Sequence, residues 1–155
     1  MTIALRPATL EDCKFVWETN NHPTVRAVSL SSDEIVWEDH VRWYAQLLED
    51  ENRHLLIGQH EAANAGVIRF DLDDDLEGNR CVVSVALAAS FRGQGFGRQL
   101  ISEGTKHALV RWCDVVTAWV MPDNTASRRA FEQAGYQLVG DELRNNVQML
   151  RLEAR

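Results

Sequence analysis

The spacing of apolar residues predicts two amphipathic helices in the first third of the chain. Thr9 with Asp12 three residues later forms a capping-box-like start for the first helix. Its apolar face consists of Leu10, Cys13, Val16 and Trp17. Turn-forming residues before a proline, at positions 20–23, predict its end. The second helix is predicted over residues 37–50, with an apolar stripe of Trp37, Val41, Tyr44 and Leu48.

Shorter apolar runs bounded by turn residues predict seven β-strands. These are residues 3–6, 54–59, 65–71, 82–87, 115–120, 136–140 and 147–153. Between the fourth and fifth strands, apolar and small residues at helical spacing predict a long third helix. A fourth helix is predicted to begin after Asn124, a good N-cap, and to end before Gly135. Two asparagines at 145–146 predict the turn of the last hairpin.

The stretch from the fourth strand into the third helix is the main candidate for chemistry. A valine-rich run breaks into Arg92-Gly93-Gln94-Gly95-Phe96-Gly97 and then resumes as a helical pattern. Glycines on alternate positions leave backbone N–H groups unshielded at the first turn of a helix, where the positive end of the helix dipole lies. This arrangement predicts a binding site for a phosphate-bearing ligand.

Two familiar phosphate-binding loops fit this spacing poorly. A P-loop requires Lys and then Ser or Thr after its last glycine, whereas Gly97 is followed by Arg98 and Gln99. The dinucleotide fingerprint requires Gly-x-Gly-x-x-Gly and an acidic residue that closes the next strand. Here the glycines alternate and Asp114 precedes that strand. Both alternatives are therefore disfavoured.

A different pattern fits: Arg/Gln-x-x-Gly-x-Gly, formed by Arg92, Gly95 and Gly97 between a strand and a helix. It resembles motif A of the GNAT superfamily of acetyl-CoA-dependent N-acetyltransferases. A second signature follows at the spacing that this family uses, and it consists of Asn124, Ser127, Phe131 and Gly135-Tyr136. The order of the predicted elements also resembles that of the family over nearly the whole chain.

The resemblance implies an α/β (α+β) GNAT fold in one acetyltransferase domain, residues 1–155. Its mixed seven-stranded sheet would be flanked by about four helices and splayed between strands 4 and 5. Acetyl-CoA would lie in that gap as the acetyl donor, with its pantetheine arm on the fourth strand and its pyrophosphate on the glycine loop. The residues implied as its contacts are Val85, Ala86, Leu87, Arg92, Gly93, Gln94, Gly95, Phe96, Gly97, Arg98, Asn124, Ser127 and Arg128.

The reaction implied by the resemblance is direct attack of a neutral amine on the thioester. A base must first remove a proton from the amine. Glu34 and His40 lie in the acceptor-facing region of the family and are the candidate bases, with His54 and Asp71 in reserve. A backbone N–H near Leu87 would stabilise the oxyanion. Many family members place a tyrosine acid where this chain has Phe131, which cannot donate a proton.

The acceptor is expected to be a primary amine of a small molecule. Residues 17–43 also resemble the N-terminal region of amino-sugar-nucleotide N-acetyltransferases and, more loosely, ribosomal-protein N-terminal acetyltransferases. If the acceptor is an amino-sugar nucleotide, Arg26 would hold a phosphate and Trp43 would stack on a base or sugar ring. Two alternatives stay open: acetylation of a protein or peptide N-terminus, and a catalytically silent CoA-binding module, which the phenylalanine at position 131 favours.

Composition and charge narrow the other options. A net charge of −7 disfavours a nucleic-acid partner, which would require a basic face. No apolar stretch is long enough for a membrane span, and the N-terminus carries no secretory pattern. Three widely spaced cysteines without a Cys-x-x-Cys pair indicate reduced thiols of a cytoplasmic protein and no metal site. The tryptophan-rich helices leave a homodimer open.

Overall fold

The computed structural model describes residues 2–29, 33–75 and 77–155, which form seven strands and five helices. The strands are β1 (Ala4–Pro7), β2 (Arg53–His60), β3 (Ala63–Leu72), β4 (Arg80–Leu87), β5 (Val115–Val120), β6 (Gln137–Arg144) and β7 (Val147–Ala154). The helices are α1 (Cys13–Asn20), α2 (Pro23–Ala27), α3 (Trp37–Glu49), α4 (Phe96–Arg111) and α5 (Thr125–Gln133). Short 3₁₀ turns precede α1 and follow β4.

All seven strands belong to one mixed sheet, in the order β1-β2-β3-β4-β5-β7-β6. Every neighbouring pair is antiparallel except β4 and β5, which are parallel. A parallel pair needs a crossover connection, and α4 supplies it. The predicted mixed seven-stranded GNAT-type sheet is confirmed.

The central pair, β4 and β5, separates soon after it forms. The two strands pair only at Arg80–Val115, Cys81–Val116 and Val82–Thr117. Beyond that point β4 remains paired with β3 as far as Leu87, and β5 remains paired with β7 as far as Val120. Each strand is therefore held on its outer side while the inner sides diverge, which opens a gap at the carboxyl ends of both strands.

Each face of the sheet packs against its own helices. On one face α4 and α5 cover a core that includes Ile68, Phe70, Leu100 and Leu152, all fully buried. On the other face α1 and α3 cover a smaller core around Val16, Tyr44, Leu47, Ile57 and Val67. Because side chains alternate along β3, Ile68 and Val67 lie on opposite faces. The second face also carries the polar residues discussed below.

Several local predictions are confirmed. Asn124 caps α5, since its side-chain oxygen accepts from the N–H of Ser127 at 3.2 Å. Gly135 follows the end of that helix at φ +100°, a conformation that glycine adopts without strain. Asn145 and Asn146 both have positive φ in the turn between β6 and β7, as a type I′ turn requires.

Helix α2 is the element that the sequence prediction omitted. Residues 20–23 were expected only to end the first helix, but Pro23 begins a new five-residue helix. Proline is favoured at the first helical position because its missing N–H would have had no partner there. His22 caps this helix through its ring Nδ1, which accepts from the N–H of Thr24 at 3.3 Å.

None of the helices within the described residues is both long enough and apolar enough to cross a bilayer.

Candidate active site

The gap between β4 and β5 opens into a cavity of about 590 Å³, here called the slot. Its walls are the end of β4, the glycine loop with the start of α4, the start of α5, and α2. The lining residues are Thr24, Val25, Val28, Val85, Ala86, Leu87, Arg92, Gly93, Gly95, Gly97, Arg98, Ile101, Asn124, Ala126, Ser127, Arg129, Ala130 and Gln133. Most of the residues implied as donor contacts thus line one cavity.

The glycine loop presents bare backbone to the slot. Gly93 and Gly95 have φ of +72° and +84°, and a Cβ built on either would meet no atom within 4 Å. Gly95 is the N-cap of α4 and supplies no side-chain cap. No backbone N–H from residue 93 to residue 98 donates to another described residue except through the helix itself. These open amides at a helix N-terminus fit the phosphates of a CoA donor.

Positive side chains surround this loop, but not in the arrangement expected. Arg92 and Arg98 line the slot, and Arg129 lies at its rim. Arg128 does not: its Nε donates to Glu132 Oε1 at 2.7 Å on the exposed side of α5. Successive helical residues point about 100° apart, so only one of the two arginines can face the slot. Arg129 therefore replaces Arg128 as the candidate contact for the 3′-phosphate of CoA.

The inner edge of β4 offers unpaired backbone groups. The N–H of Ala88 donates to the carbonyl of Ala65, so in the antiparallel ladder the even-numbered residues of β4 bond to β3. The N–H and C=O groups of Val85 and Leu87 therefore point the other way, into the slot. Arg92 confirms this direction, because its guanidinium donates to the carbonyl of Leu87 at 3.2 and 3.3 Å. The N–H of Leu87 stays available.

A second cavity of about 400 Å³, here called the side cavity, adjoins the slot. It lies between α2, α3 and the face of the sheet that these helices cover. Its lining residues are Asn20, Val25, Arg26, Ser29, Ile35, Asp39, His40, Trp43, Leu55, Val67, Arg69, Ser84 and Val85. Val25 and Val85 line both cavities. The two spaces therefore meet beside the inner edge of β4.

His40 lies in the wall of the side cavity, and a hydrogen bond to the backbone fixes its tautomer. Its Nε2 lies 2.8 Å from the carbonyl oxygen of Cys13, which can only accept, so Nε2 carries the hydrogen and Nδ1 carries the lone pair. The rings of Trp37, Trp43 and Tyr44 surround it. Burial lowers the pKa of His40 below its ordinary value, which favours the neutral imidazole.

The other candidate bases lie elsewhere. Glu34 is exposed and borders a separate surface depression with Asn21, Pro23, Arg26 and Ala27, outside the described lining of the side cavity. His54 stacks on Trp112 at 4.0 Å, on the α4 side of the sheet. Asp71 accepts hydrogen bonds from the Nε atoms of both Arg53 and Arg69, so its negative charge is balanced by these arginines. Of the four candidates, His40 alone borders the side cavity.

The two expected acceptor contacts are engaged in holding the fold. Arg26 lines the side cavity, but its Nε donates to the carbonyl of Asn20 at 2.9 Å and its Nη2 to Ser29 at 3.3 Å. Trp43 also lines the cavity, yet the guanidinium carbons of Arg53 and Arg69 lie 5.6 and 5.3 Å from its ring centroid. Both residues therefore border the cavity while they already have partners within the chain.

Phe131 and Tyr136 belong to the core. Phe131 is 4% exposed and packs edge-to-face on Tyr136, whose centroid is 4.9 Å away. The hydroxyl groups of Tyr136 and Thr105 share a 2.7 Å hydrogen bond, and burial raises the pKa of Tyr136 well above its usual range. Tyr136 is thus a core aromatic, as expected, and does not take over the acid role that is vacant at Phe131.

Sequence reasoning missed Arg69, Ser84 and Asp39 in the side cavity. Arg69 and Ser84 are cross-strand partners on β3 and β4, so they lie side by side on the face that α1 and α3 cover. One signal was available: Arg69 interrupts an apolar strand on the same face as Val67. A charged residue at such a position requires a partner or a function.

Comparisons with known proteins bear on the family and the fold. The chain matches the acetyltransferase (GNAT) family over residues 13–136. No curated protein sequence matches it. Among solved structures, AAC(6′)-Ib in complex with ribostamycin and coenzyme A is 15% identical, with a TM-score of 0.87 over 99% of this chain and 93% of that one. Spermidine N-acetyltransferase from Vibrio cholerae with CoA and spermine is 14% identical, with a TM-score of 0.87 over 99% and 95%.

A third similar structure, a protein provisionally named a phosphinothricin N-acetyltransferase, is 21% identical, with a TM-score of 0.81 over 99% of this chain and 98% of that one. Because the family match spans most of the sequence, this chain belongs to the acetyltransferase (GNAT) family. It is an acetyl-CoA-dependent N-acetyltransferase.

Replacing Gly95 with alanine should weaken acetyl-CoA binding at least tenfold, because the added methyl group projects into the space that the phosphates need. Gly78→Ala is the matched control, since Gly78 has a similar φ of +94° but lies outside the lining of the slot. Both changes should destabilise the fold by about 1–2 kcal/mol. Calorimetric titration gives the affinity and thermal denaturation the stability. Equal affinities for the two variants would contradict the placement of the phosphates.

The two adjacent arginines of α5 provide a second test. Arg129→Ala should weaken CoA binding about two- to fivefold, the size expected for one exposed ion pair, and should leave binding of dephospho-CoA unchanged. Arg128→Ala should affect neither ligand. Titrations at low salt measure both differences. Equal losses for CoA and dephospho-CoA would show that Arg129 does not contact the 3′-phosphate.

Proposed function

We propose that this chain transfers the acetyl group of acetyl-CoA to a primary amine of a small molecule by direct attack of the amine on the thioester. The observation that carries this proposal is the junction of two cavities beside Val85. The slot suits the donor, and the side cavity suits the acceptor. The amine and the thioester can therefore meet without either ligand leaving its own cavity.

The size of the side cavity supports a small-molecule acceptor. A volume of about 400 Å³ falls in the range that small ligands occupy. A peptide N-terminus, the alternative, would need an extended groove for the residues behind its amine. The amino-sugar-nucleotide version of the proposal depended on Arg26 and Trp43, whose present contacts give it little support.

We propose His40 as the base. Nδ1 of the neutral imidazole takes a proton from the amine, directly or through one water, while Nε2 keeps its hydrogen bond to Cys13. The amine nitrogen then forms a bond to the acetyl carbon, and the bond from that carbon to sulfur breaks. A lowered pKa is useful here because a protonated histidine could not accept a second proton.

Backbone geometry supports the proposed role of the Leu87 N–H in stabilising the oxyanion. The N–H of Leu87 points into the slot and could donate to the carbonyl oxygen as negative charge develops on it. Its position is fixed from two sides: β3 pairs with β4 along this stretch, and Arg92 holds the carbonyl of the same residue. Since Phe131 lies in the core, the thiol, with an ordinary pKa of about 8.5, would leave as the thiolate.

The proposal predicts that free thiol appears from acetyl-CoA when small primary amines are added. The assay follows thiol release with a panel of monoamines, amino sugars, amino acids and short peptides, and mass spectrometry identifies the acetylated product. Peptides should be poorer acceptors than the small amines. Binding of acetyl-CoA without thiol release for any amine would favour the catalytically silent alternative. Cytoplasmic location also stays a prediction.

The role of His40 predicts a specific loss. His40→Gln keeps a donor for the Cys13 carbonyl but removes the basic nitrogen, so kcat should fall about 10²- to 10⁴-fold. The affinity for acetyl-CoA should not change. His54→Gln is the control, since burial also lowers the pKa of His54, which lies across the sheet.

In the wild-type protein, kcat should decrease as the pH falls through the lowered pKa of His40, and this acid limb should be missing in His40→Gln. Retention of wild-type kcat in the variant would exclude His40 as the base. Glu34→Gln, in the same assay, tests the other candidate.

A further inference from the structure

We propose that the side cavity recognises an acceptor amine that carries an oxyanion, a carboxylate or a phosphate, and that Arg69 is the residue that binds this group. The inference rests on the proposed function, which it deepens by defining the chemical class of the acceptor. It is carried by the geometry of a cluster that the catalytic chemistry does not use: Arg53, Arg69, Asp71 and Trp43.

Arg69 is anchored on one side and open on the other. Its Nε donates to both carboxylate oxygens of Asp71, each at 3.1 Å. Its side chain is only 21% exposed, and it lines the side cavity. Among the described residues, no atom accepts a hydrogen bond from its two Nη groups. A guanidinium fixed in this way presents two parallel N–H groups, the arrangement that binds carboxylate and phosphate in a bidentate manner.

The cluster around Arg69 carries excess positive charge. Two arginines share the single carboxylate of Asp71, because Arg53 Nε also donates to it, at 3.2 Å. The Trp43 ring stabilises both guanidinium groups through cation–π contacts but does not neutralise them. Burial lowers the pKa of Arg69, yet an arginine side chain remains charged at any physiological pH. One uncompensated charge therefore faces the cavity.

The charged residues that line the side cavity also give it a net positive charge. It contains two arginines, Arg26 and Arg69, against one acidic residue, Asp39, which is already paired with Arg42. The lowered pKa of His40 favours its neutral form. The rest of the protein has a net charge of the opposite sign, since the whole chain carries −7. A polycationic acceptor would be favoured by that general charge but repelled inside this cavity.

The position of Arg69 lets one acceptor molecule reach both Arg69 and the junction of the two cavities. Arg69 pairs across the sheet with Ser84, and the next residue of β4 is Val85, where the two cavities meet. Arg69, Ser84 and Val85 all line the side cavity, whose volume is about 400 Å³. The acceptor therefore carries its amine and its oxyanion in the same small molecule.

The fold itself does not determine whether the acceptor is positively or negatively charged. Two of the similar structures hold polycationic amines, spermine and ribostamycin, and a third is named for phosphinothricin, an amino acid with two acidic groups. All three share this fold at 21% identity or less. The charge of the acceptor must therefore be read from the side chains of this cavity.

The test uses amines in matched pairs that differ only in the anionic group: phosphoethanolamine and ethanolamine, glucosamine 6-phosphate and glucosamine, and L-methionine and 3-(methylthio)propylamine. Spermidine represents the polycations. Calorimetry on the CoA-bound full-length protein measures binding, and thiol release from acetyl-CoA measures kcat and KM. The anionic member of at least one pair should bind about 10- to 100-fold tighter than its partner, the range for charge-assisted hydrogen bonds. The first two pairs report on phosphate and the third on carboxylate.

Two variants assign the effect to Arg69. Arg69→Gln should raise KM for the anionic amine about 10- to 100-fold, change KM for its uncharged partner less than about threefold, and leave kcat nearly unchanged. Arg53→Gln removes the same charge from the same carboxylate and the same tryptophan, but Arg53 does not line the cavity. Because the guanidinium that lines the cavity remains, this control should weaken the anionic preference clearly less than Arg69→Gln does.

Equal binding of the members of every pair, tighter binding of spermidine, or an equal loss for all acceptors in Arg69→Gln would overturn the inference and leave acetyl transfer standing. Failure of every amine to release thiol, together with failure to bind acetyl-CoA, would overturn the proposed function and this inference with it.

Discussion

The backbone of β4 beyond Val82 has strong hydrogen-bonding groups on one side and no strand to pair with them. β3 holds the outer side of β4 as far as Leu87, while β7 holds the outer side of β5 as far as Val120. The two inner edges therefore diverge and leave donors and acceptors that must be satisfied by solvent, by a side chain such as Arg92, or by a ligand. The slot, the position of the glycine loop and the junction at Val85 all depend on this separation.

The two cavities differ in the chemical groups that line them. The slot relies on bare backbone: the edge of β4 and the open amides around Gly93 and Gly95, with arginines at the rim. Such contacts define the shape of the donor site and make it depend little on side-chain identity. The side cavity relies on side chains such as His40 and Arg69.

The wall between the two cavities is held by a small number of polar contacts. The side-chain oxygen of Asn21 accepts a hydrogen bond from the N–H of Ile35 at 2.7 Å. The indole N–H of Trp17 donates to the carbonyl of Ile35 at 2.8 Å. Arg26 ties α2 to the end of α1. These bonds position α2, whose Val25 borders both cavities, so residues that looked like acceptor contacts instead build the wall.

The sequence by itself determined every strand and helix except α2, and it predicted the glycine loop as a phosphate site, because both depend on local rules. Strand and helix periods, the Asn124 cap and the glycines of the loop specify their own conformations, and a phosphate site made of backbone needs no distant partner. The tertiary structure was required to place Arg129 instead of Arg128 on the slot and His40 instead of Glu34 on the side cavity, and to anchor Arg69 on Asp71. Each depends on which way a side chain points once helix and sheet have packed, and on partners far away along the chain, such as the Cys13 carbonyl that fixes the His40 tautomer. Hydrophobic patterning specifies which face of an element is buried, but it does not specify which polar groups meet across that face.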